Sequence, residues 1–272
     1  MDLHENLKDK TVVITGGSGI LCREFAYAYA KQGMNVAVLG RTLSKLEEVR
    51  DKINELGGNG LAVVCDVVDK DSVINAKKVV NDTFGKVDIL VNGAGGNHPK
   101  GTTTKEYFEK GDIENPNVVS FFDLSKENFN YVFDLNIVGT LIPTQVFIVD
   151  MLDNPGANVL NIASMSSYHA ITKVSAYCAA KAAISNFTEW LAVHFSKVGI
   201  RCNAIAPGFF STQQNAKLLF EKSGRLTFGT FKESSCSYSY GTFRCSGGFD
   251  RHIAMAYRQR SIRFCYRCYN PC

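Results

Sequence analysis

T-V-V-I-T-G-G-S-G, residues 11–19, decides the fold. Thr11 to Thr15 form a short apolar run rich in β-branched residues, which reads as a buried strand. The run breaks into Gly16, Gly17, Ser18 and Gly19, and an amphipathic stretch over residues 21–32 follows. A glycine turn between a strand and a helix lets backbone amides and the helix N-terminus approach a pyrophosphate. By itself such a turn can also be a simple tight connection.

The same alternation continues outward from that turn. Residues 35–39, 61–65, 89–91, 158–162 and 201–205 read as further strands, and 43–56, 72–84, 126–151 and 176–197 as helices. Strand and helix in strict alternation predict βαβ units and one α/β domain with a doubly wound, Rossmann-type parallel sheet. At 272 residues and 45% hydrophobic content the chain can bury one sizeable core. Residues 95–123 are a long polar connection, expected as an active-site loop or lid. Residues 1–224 are expected to form the domain. Beyond Gly224 neither helical nor strand period survives.

Charge and cysteine divide at the same place. From Lys232 onward seven basic residues face two acidic ones, so the tail carries +5 of a net +4 and the body −1. A body without basic excess does not bind a polyanion, so no nucleic-acid partner is expected. Cys22, Cys65, Cys178 and Cys202 are scattered through the body as small hydrophobes. Cys236, Cys245, Cys265, Cys268 and Cys272 crowd the tail; Cys265 and Cys268, with Cys272, offer a zinc-like spacing but no second ligand pair to complete a site, and no metal is expected. No apolar run approaches the roughly 20 residues of a spanning helix. The polar N-terminus has no signal-peptide core, so a cytoplasmic protein without a membrane partner is expected.

The second chemical constellation is Tyr177-Cys178-Ala179-Ala180-Lys181, with Ser164 thirteen residues before the tyrosine. Tyr and Lys four apart on a helix share a face. The ammonium could then lower the phenol's pKa, and a Ser hydroxyl from the strand end could hold a substrate oxygen beside it. A surface Tyr–Lys pair is the alternative for the motif alone; the Ser spacing makes the set more specific.

Taken together, seven motifs resemble the short-chain dehydrogenase/reductase family over residues 7–215. They are T-G-G-S-G (15–19), C-D-V (65–67), N-G-A-G (92–95), D-L-N (134–136), N-I-A-S (161–164), Y-C-A-A-K (177–181) and P-G-F-F-S-T (207–212). The resemblance implies hydride transfer between a nicotinamide cofactor and a carbonyl or alcohol. It implies Tyr177 as general acid in reduction, Lys181 lowering its pKa and meeting the nicotinamide ribose, Ser164 polarising the carbonyl, and Asn136 holding the water of a proton relay. Its cofactor-binding set is Gly16, Gly17, Ser18, Gly19, Ile20, Arg41, Asp66, Val67, Asn92, Gly93, Ala94, Gly95, Tyr177, Lys181, Pro207, Gly208 and Thr212. Within it Asp66 meets the adenine, Asn92 shapes the cleft and Thr212 touches the carboxamide.

Two departures matter. The family's turn is usually T-G-x-x-x-G-x-G, and its last two glycines are here Ile20 and Cys22, which predicts looser pyrophosphate binding. Gly40-Arg41 ends the second strand where NAD-preferring relatives place an acid. Arg41 can pair with a 2′-phosphate, which favours NADP over NAD; stacking on the adenine is the alternative.

The run from Gly95 to Lys100, the insert after it and F-F-S-T-Q-Q-N (209–215) resemble one branch of the family more narrowly, the D-mannonate oxidoreductases or fructuronate reductases. That implies a small sugar-acid substrate, with Asn97, His98 and Lys100 beyond the cofactor cleft and the last two meeting its carboxylate. The alternatives are a turn role for His98 and a solvated Lys100. A ketogluconate or a 3-oxoacyl thioester is the rival substrate, and a dinucleotide-binding product without turnover the rival of another class.

The tail 225–272 reads as a shifted frame. Codons for residues 237–259, read one base later, can give HTPMGRFGVPEDLIGTLLWLTD, and residues 263–272 likewise VFVTGVITPV. These are the family's missing last helix and strand, in order. The first and third bases of each shifted codon are largely dictated by the written residues, so codon choice cannot easily invent the match. The family is usually a homotetramer built partly on that last strand, so assembly and activity are expected to suffer in the chain as written.

Overall fold

The computed structural model describes residues 4–154 and 156–208. Six strands form one all-parallel sheet: β1 (Thr11–Thr15), β2 (Asn35–Gly40), β3 (Asn59–Val64), β4 (Ile89–Asn92), β5 (Asn158–Ile162) and β6 (Arg201–Ile205), in the order β3-β2-β1-β4-β5-β6. The expected doubly wound fold is therefore present. The order reverses direction between β1 and β4, which opens a crevice beyond their C-terminal ends.

Helices α1 (Ile20–Ala30) and α2 (Leu43–Glu55) cover one face. The other carries α3 (Lys70–Phe84), α4 (Lys126–Phe133), α5 (Gly139–Phe147) and α6 (Ser175–His194). The sheet alternates as strand geometry demands. Val12 and Ile14 pack with Phe25, Leu46 and Ile53 of α1 and α2, whereas Val13 packs with Val73, Val80, Phe147 and Leu191 of α3, α5 and α6. Covering on both faces explains why these strands read as continuous apolar runs. Helix α3 starts earlier than the periodicity suggested because Asp69 caps it, accepting from the Asp71 and Ser72 amides.

Residues 126–151 do not form one regular helix. Between α4 and α5 the chain widens into a π turn, Asp134–Val138, and it tightens to a 3-10 turn at Ile148–Met151. Pro143 has no N–H for the Gly139 carbonyl, and the Asn136 side chain donates from Nδ2 to the Val132 carbonyl at 2.7 Å; both disturb the ladder. The combined run Lys126–Met151 is long and apolar enough to span a membrane by composition alone, which corrects the expectation that no such run exists. Here its Val132, Val146 and Phe147 are core residues packed against α6 and the sheet.

The connection 95–123 is built, not bare. It holds 3-10 turns at Pro99–Gly101, Lys110–Asp112 and Phe121–Asp123. Lys105 bridges Glu109 (2.6 Å) and the buried Asp112 (2.7 Å), and holds the Asp112 carboxyl below its usual range. It is also less polar than expected, since Tyr107, Phe108, Phe121 and Phe122 are exposed on it.

Candidate active site

The crevice between β1 and β4 is floored by backbone that only glycine permits. Gly16 sits at φ +64°, and a Cβ there would lie 2.9 Å from Ala94 Cα and the Gly93 carbonyl. A Cβ on Gly17 would strike Val38 at 2.6 Å. Gly19 caps α1 with no side-chain hydrogen bond, so no side chain competes for the amides that open this helix. Thr15, the last residue of β1, ties the two walls together: its Oγ1 accepts from the Gly93 (3.1 Å) and Ala94 (3.2 Å) amides.

Both departures in the turn find a place. Ile20 opens α1 half-buried, while Cys22 turns inward, where a Cβ on Gly93 would overlap its Sγ. Burial pushes the Cys22 thiol up to about 12, so it packs as a neutral small hydrophobe. An inward Cys22 leaves the mouth of the turn open. The glycine cradle and uncapped helix start therefore fit a dinucleotide pyrophosphate.

Four polar side chains converge one layer deeper, at the C-terminal ends of β4 and β5. Asn136 is fully buried in the π turn; its Nδ2 donates to the Gly96 carbonyl (2.8 Å) and its Oδ1 accepts from the Gly96 amide (3.2 Å). A Cβ on Gly95 would stand 2.7 Å from Asn136 Oδ1 and 3.2 Å from Lys181 Nζ, so Gly95 is where those two side chains meet. Lys181, 5% exposed, donates from Nζ to the Ile162 carbonyl at 2.7 Å. Ser164 follows β5, accepts from the Ser166 amide, and its hydroxyl hydrogen-bonds the Tyr177 phenol.

Burial dominates the electrostatics of the site. The phenol of Tyr177 lies above its usual pKa because burial outweighs the Ser164 hydrogen bond. Lys181 Nζ stands 5.7 Å from the ring centroid and donates to the Ile162 carbonyl. Lys181 is itself pushed down to about 8 by desolvation. The phenol thus stays protonated through neutral pH, the state a proton donor needs.

The other expected residues spread around this centre. Arg41 is exposed at the end of β2. Asp66 accepts from the Val68 amide at 3.2 Å after β3, and Val67 packs on Gly139, where a Cβ would be 2.8 Å away. Pro207 follows β6 and accepts from the Met165 amide at 3.1 Å. Gly208 ends the described segment, and Thr212 lies outside the described residues. Asn97 donates to Thr102 Oγ1 at 2.8 Å, and Lys100 is exposed on the Pro99–Gly101 turn. His98 caps that turn, as the turn reading had it: Nδ1 accepts from the Lys100 amide at 3.3 Å, and the ring lies 4.7 Å from that of Tyr131 on α4. With Nδ1 accepting, the neutral ring carries its proton on Nε2, which remains a donor.

Three features escaped the sequence. Thr15 is visible only as a motif letter until its two acceptor contacts are seen. Lys173 holds φ +71° and its carbonyl accepts from the Thr103 amide at 3.0 Å, pinning the insert to the loop before Tyr177. Asn161 lies fully buried beside Asn92, and two Asn near the C-terminal ends of apolar strands were the available signal.

Comparison with known proteins agrees with this architecture. The family model described as short chain dehydrogenase matches residues 10–222. An uncharacterized oxidoreductase of Haemophilus influenzae is 47% identical over 224 residues, covering 82% of this chain and 78% of that one. The uncharacterized oxidoreductase UxuB of Bacillus subtilis is 48% identical over 231 residues, covering 85% and 81%. A crystal structure of a candidate D-mannonate oxidoreductase from Haemophilus influenza with bound NAD superposes with a TM-score of 0.78 at 45% identity, covering 83% of this chain and 80% of that one. The chain is an oxidoreductase scaffold of known kind: it belongs to the short chain dehydrogenase family.

Proposed function

We propose that this protein reduces a sugar-acid ketone with a nicotinamide dinucleotide, converting D-fructuronate to D-mannonate. The observation that carries the chemistry is the meeting of Asn136, Ser164, Tyr177 and Lys181 beside the glycine turn. The bound nicotinamide supplies the hydride. Ser164 donates a hydrogen bond to the carbonyl oxygen and Tyr177 gives that oxygen its proton, which its raised pKa keeps available. Lys181 and Asn136, facing each other across Gly95, bind the ribose side and hold the water that returns a proton to Tyr177. Gly16, Gly17, Ser18, Gly19 and Ile20 receive the pyrophosphate, Asp66 and Val67 the adenine, and Asn92 to Gly95 with Pro207, Gly208 and Thr212 the nicotinamide half.

Arg41, exposed at the end of β2, favours NADP, while the Haemophilus relative was solved with NAD. The substrate class rests on that relative's description and on the insert. His98 Nε2 and the Lys100 ammonium offer two donors to a carboxylate.

The test is oxidation of NADPH and NADH with D-fructuronate, using both the chain as written and one whose frame is restored after about Gly224. Turnover by the restored chain supports the assignment, and the ratio of the two rates measures Arg41. Lys100→Met then raises KM for the uronate about tenfold and leaves an uncharged ketone unaffected. No turnover with either cofactor removes the fructuronate assignment; equal effects of Lys100→Met on both substrates remove the carboxylate role.

A further inference from the structure

Behind the catalytic centre runs a buried ladder of amides and hydroxyls that, Asn92 apart, the chemistry above does not use. On α5, Thr140 Oγ1 donates to the Asn136 carbonyl at 2.8 Å and Thr144 Oγ1 to the Thr140 carbonyl at 2.7 Å. Asn92 Nδ2, at the end of β4, donates to Thr144 Oγ1 and to Asn161 Oδ1, both at 2.9 Å. Asn161 Nδ2 donates to Thr188 Oγ1 at 2.8 Å, and Thr188 Oγ1 donates to the Ile184 carbonyl at 2.7 Å. Thr140, Thr144, Asn92, Asn161 and Thr188 are each at most 3% exposed.

Proton counting fixes the direction of every link. Each hydroxyl has one proton, and all three give it to a helix carbonyl. Thr144 and Thr188 can therefore only accept from the asparagines, so each amide is held in one orientation. The ladder joins α5, β4, β5 and α6 through the middle of the sheet, where a flipped amide would leave buried groups unpaired. Asn161 is its centre. The next residue, Ile162, offers the carbonyl that takes Lys181 Nζ, and Ser164 lies two positions further on. Thr188 stands seven and eleven residues after Lys181 and Tyr177, on their face of α6.

We infer that Asn161 and Thr188 are positioning residues, and that their hydrogen bond sets where α6 holds Tyr177 and Lys181 against the end of β5. This rests on the reading above that Tyr177 and Lys181 move the proton. The alternative is that the ladder only stabilises the core.

Thr188→Val removes the hydroxyl with little change of shape, and Thr188→Ser restores it. The readout is the titration of the Tyr177 phenol, isolated as the near-ultraviolet absorbance difference between each protein and the same protein carrying Tyr177→Phe. It needs neither substrate nor cofactor. We expect Thr188→Val to move the midpoint by about one pH unit, and Thr188→Ser to return it. Asn161→Leu should shift it the same way; if that variant does not fold, Thr188→Val decides. An unmoved midpoint in folded Thr188→Val, whatever its loss of stability, overturns the inference and leaves a structural brace. Activity of Tyr177→Phe is a separate matter: if that variant still turns over, the catalytic reading fails even where the midpoint has shifted.

Discussion

At the scale of single residues, Lys181 carries the largest electrostatic tension in the site. Desolvation depresses it to about 8 from the usual 10.5, with the Ile162 carbonyl as its hydrogen-bond partner. Between those two values the unfolded chain binds more protons than the folded one, so stability attributable to this group rises with pH across that window. Below about pH 8 the charged, buried lysine opposes folding in full. Lys181→Met should remove that dependence. Relative to the variant, the parent protein gains on the order of 3 kcal/mol between pH 8 and 10.5, measurable as denaturant midpoints at each pH. Parallel stability curves would show that Lys181 titrates normally. The same substitution should lower turnover at least about a hundredfold, as loss of a group serving the proton transfer does.

Among elements, the decisive joint is the meeting of β1 with the loop after β4. One hydroxyl, Thr15 Oγ1, serves two backbone amides there, and Gly16 lies directly against Ala94. Thr15→Val keeps the shape and strands both amides, a cost of about 2–4 kcal/mol in stability. Because those amides shape the cleft floor, the Kd for NADH, followed by its fluorescence, should rise about tenfold, and Thr15→Ser should recover it. A destabilised variant that binds NADH as before would confine Thr15 to the core. The glycine turn was legible in the sequence because its cause is local: backbone approach and positive φ demand glycine. The π turn at Asp134–Val138 was not legible. Its Asn136 is bonded across to Gly96, 40 residues away in sequence, and no local apolar pattern encodes such a contact.

For the whole molecule, the open matter is the frame after Gly224. The family match ends at residue 222, close to where the alternation of strand and helix stops. We propose that residues 225–272 translate a shifted frame, and the nucleotide sequence tests it directly: codons that do not give the family's last helix and strand one base later would refute it. Restoring the frame should raise the unfolding midpoint by several degrees, since a further strand and helix bury more apolar surface. It should also yield a tetramer by sedimentation or light scattering. Equal midpoints and equal mass for the two proteins would mean that the written tail serves as well as the family's.

The sequence alone determined the strand–helix alternation, the parallel sheet, the glycine turn and the Ser164, Tyr177, Lys181 set, because periodicity, turn stereochemistry and helix spacing act over a few residues. Tertiary structure alone decided which way each group is spent. It turned Cys22 inward onto Gly93, gave His98 Nδ1 to its own turn, and set Lys181 on the Ile162 carbonyl. Those outcomes depend on burial and on partners far along the sequence, and desolvation is a property of the folded surroundings that no local pattern encodes.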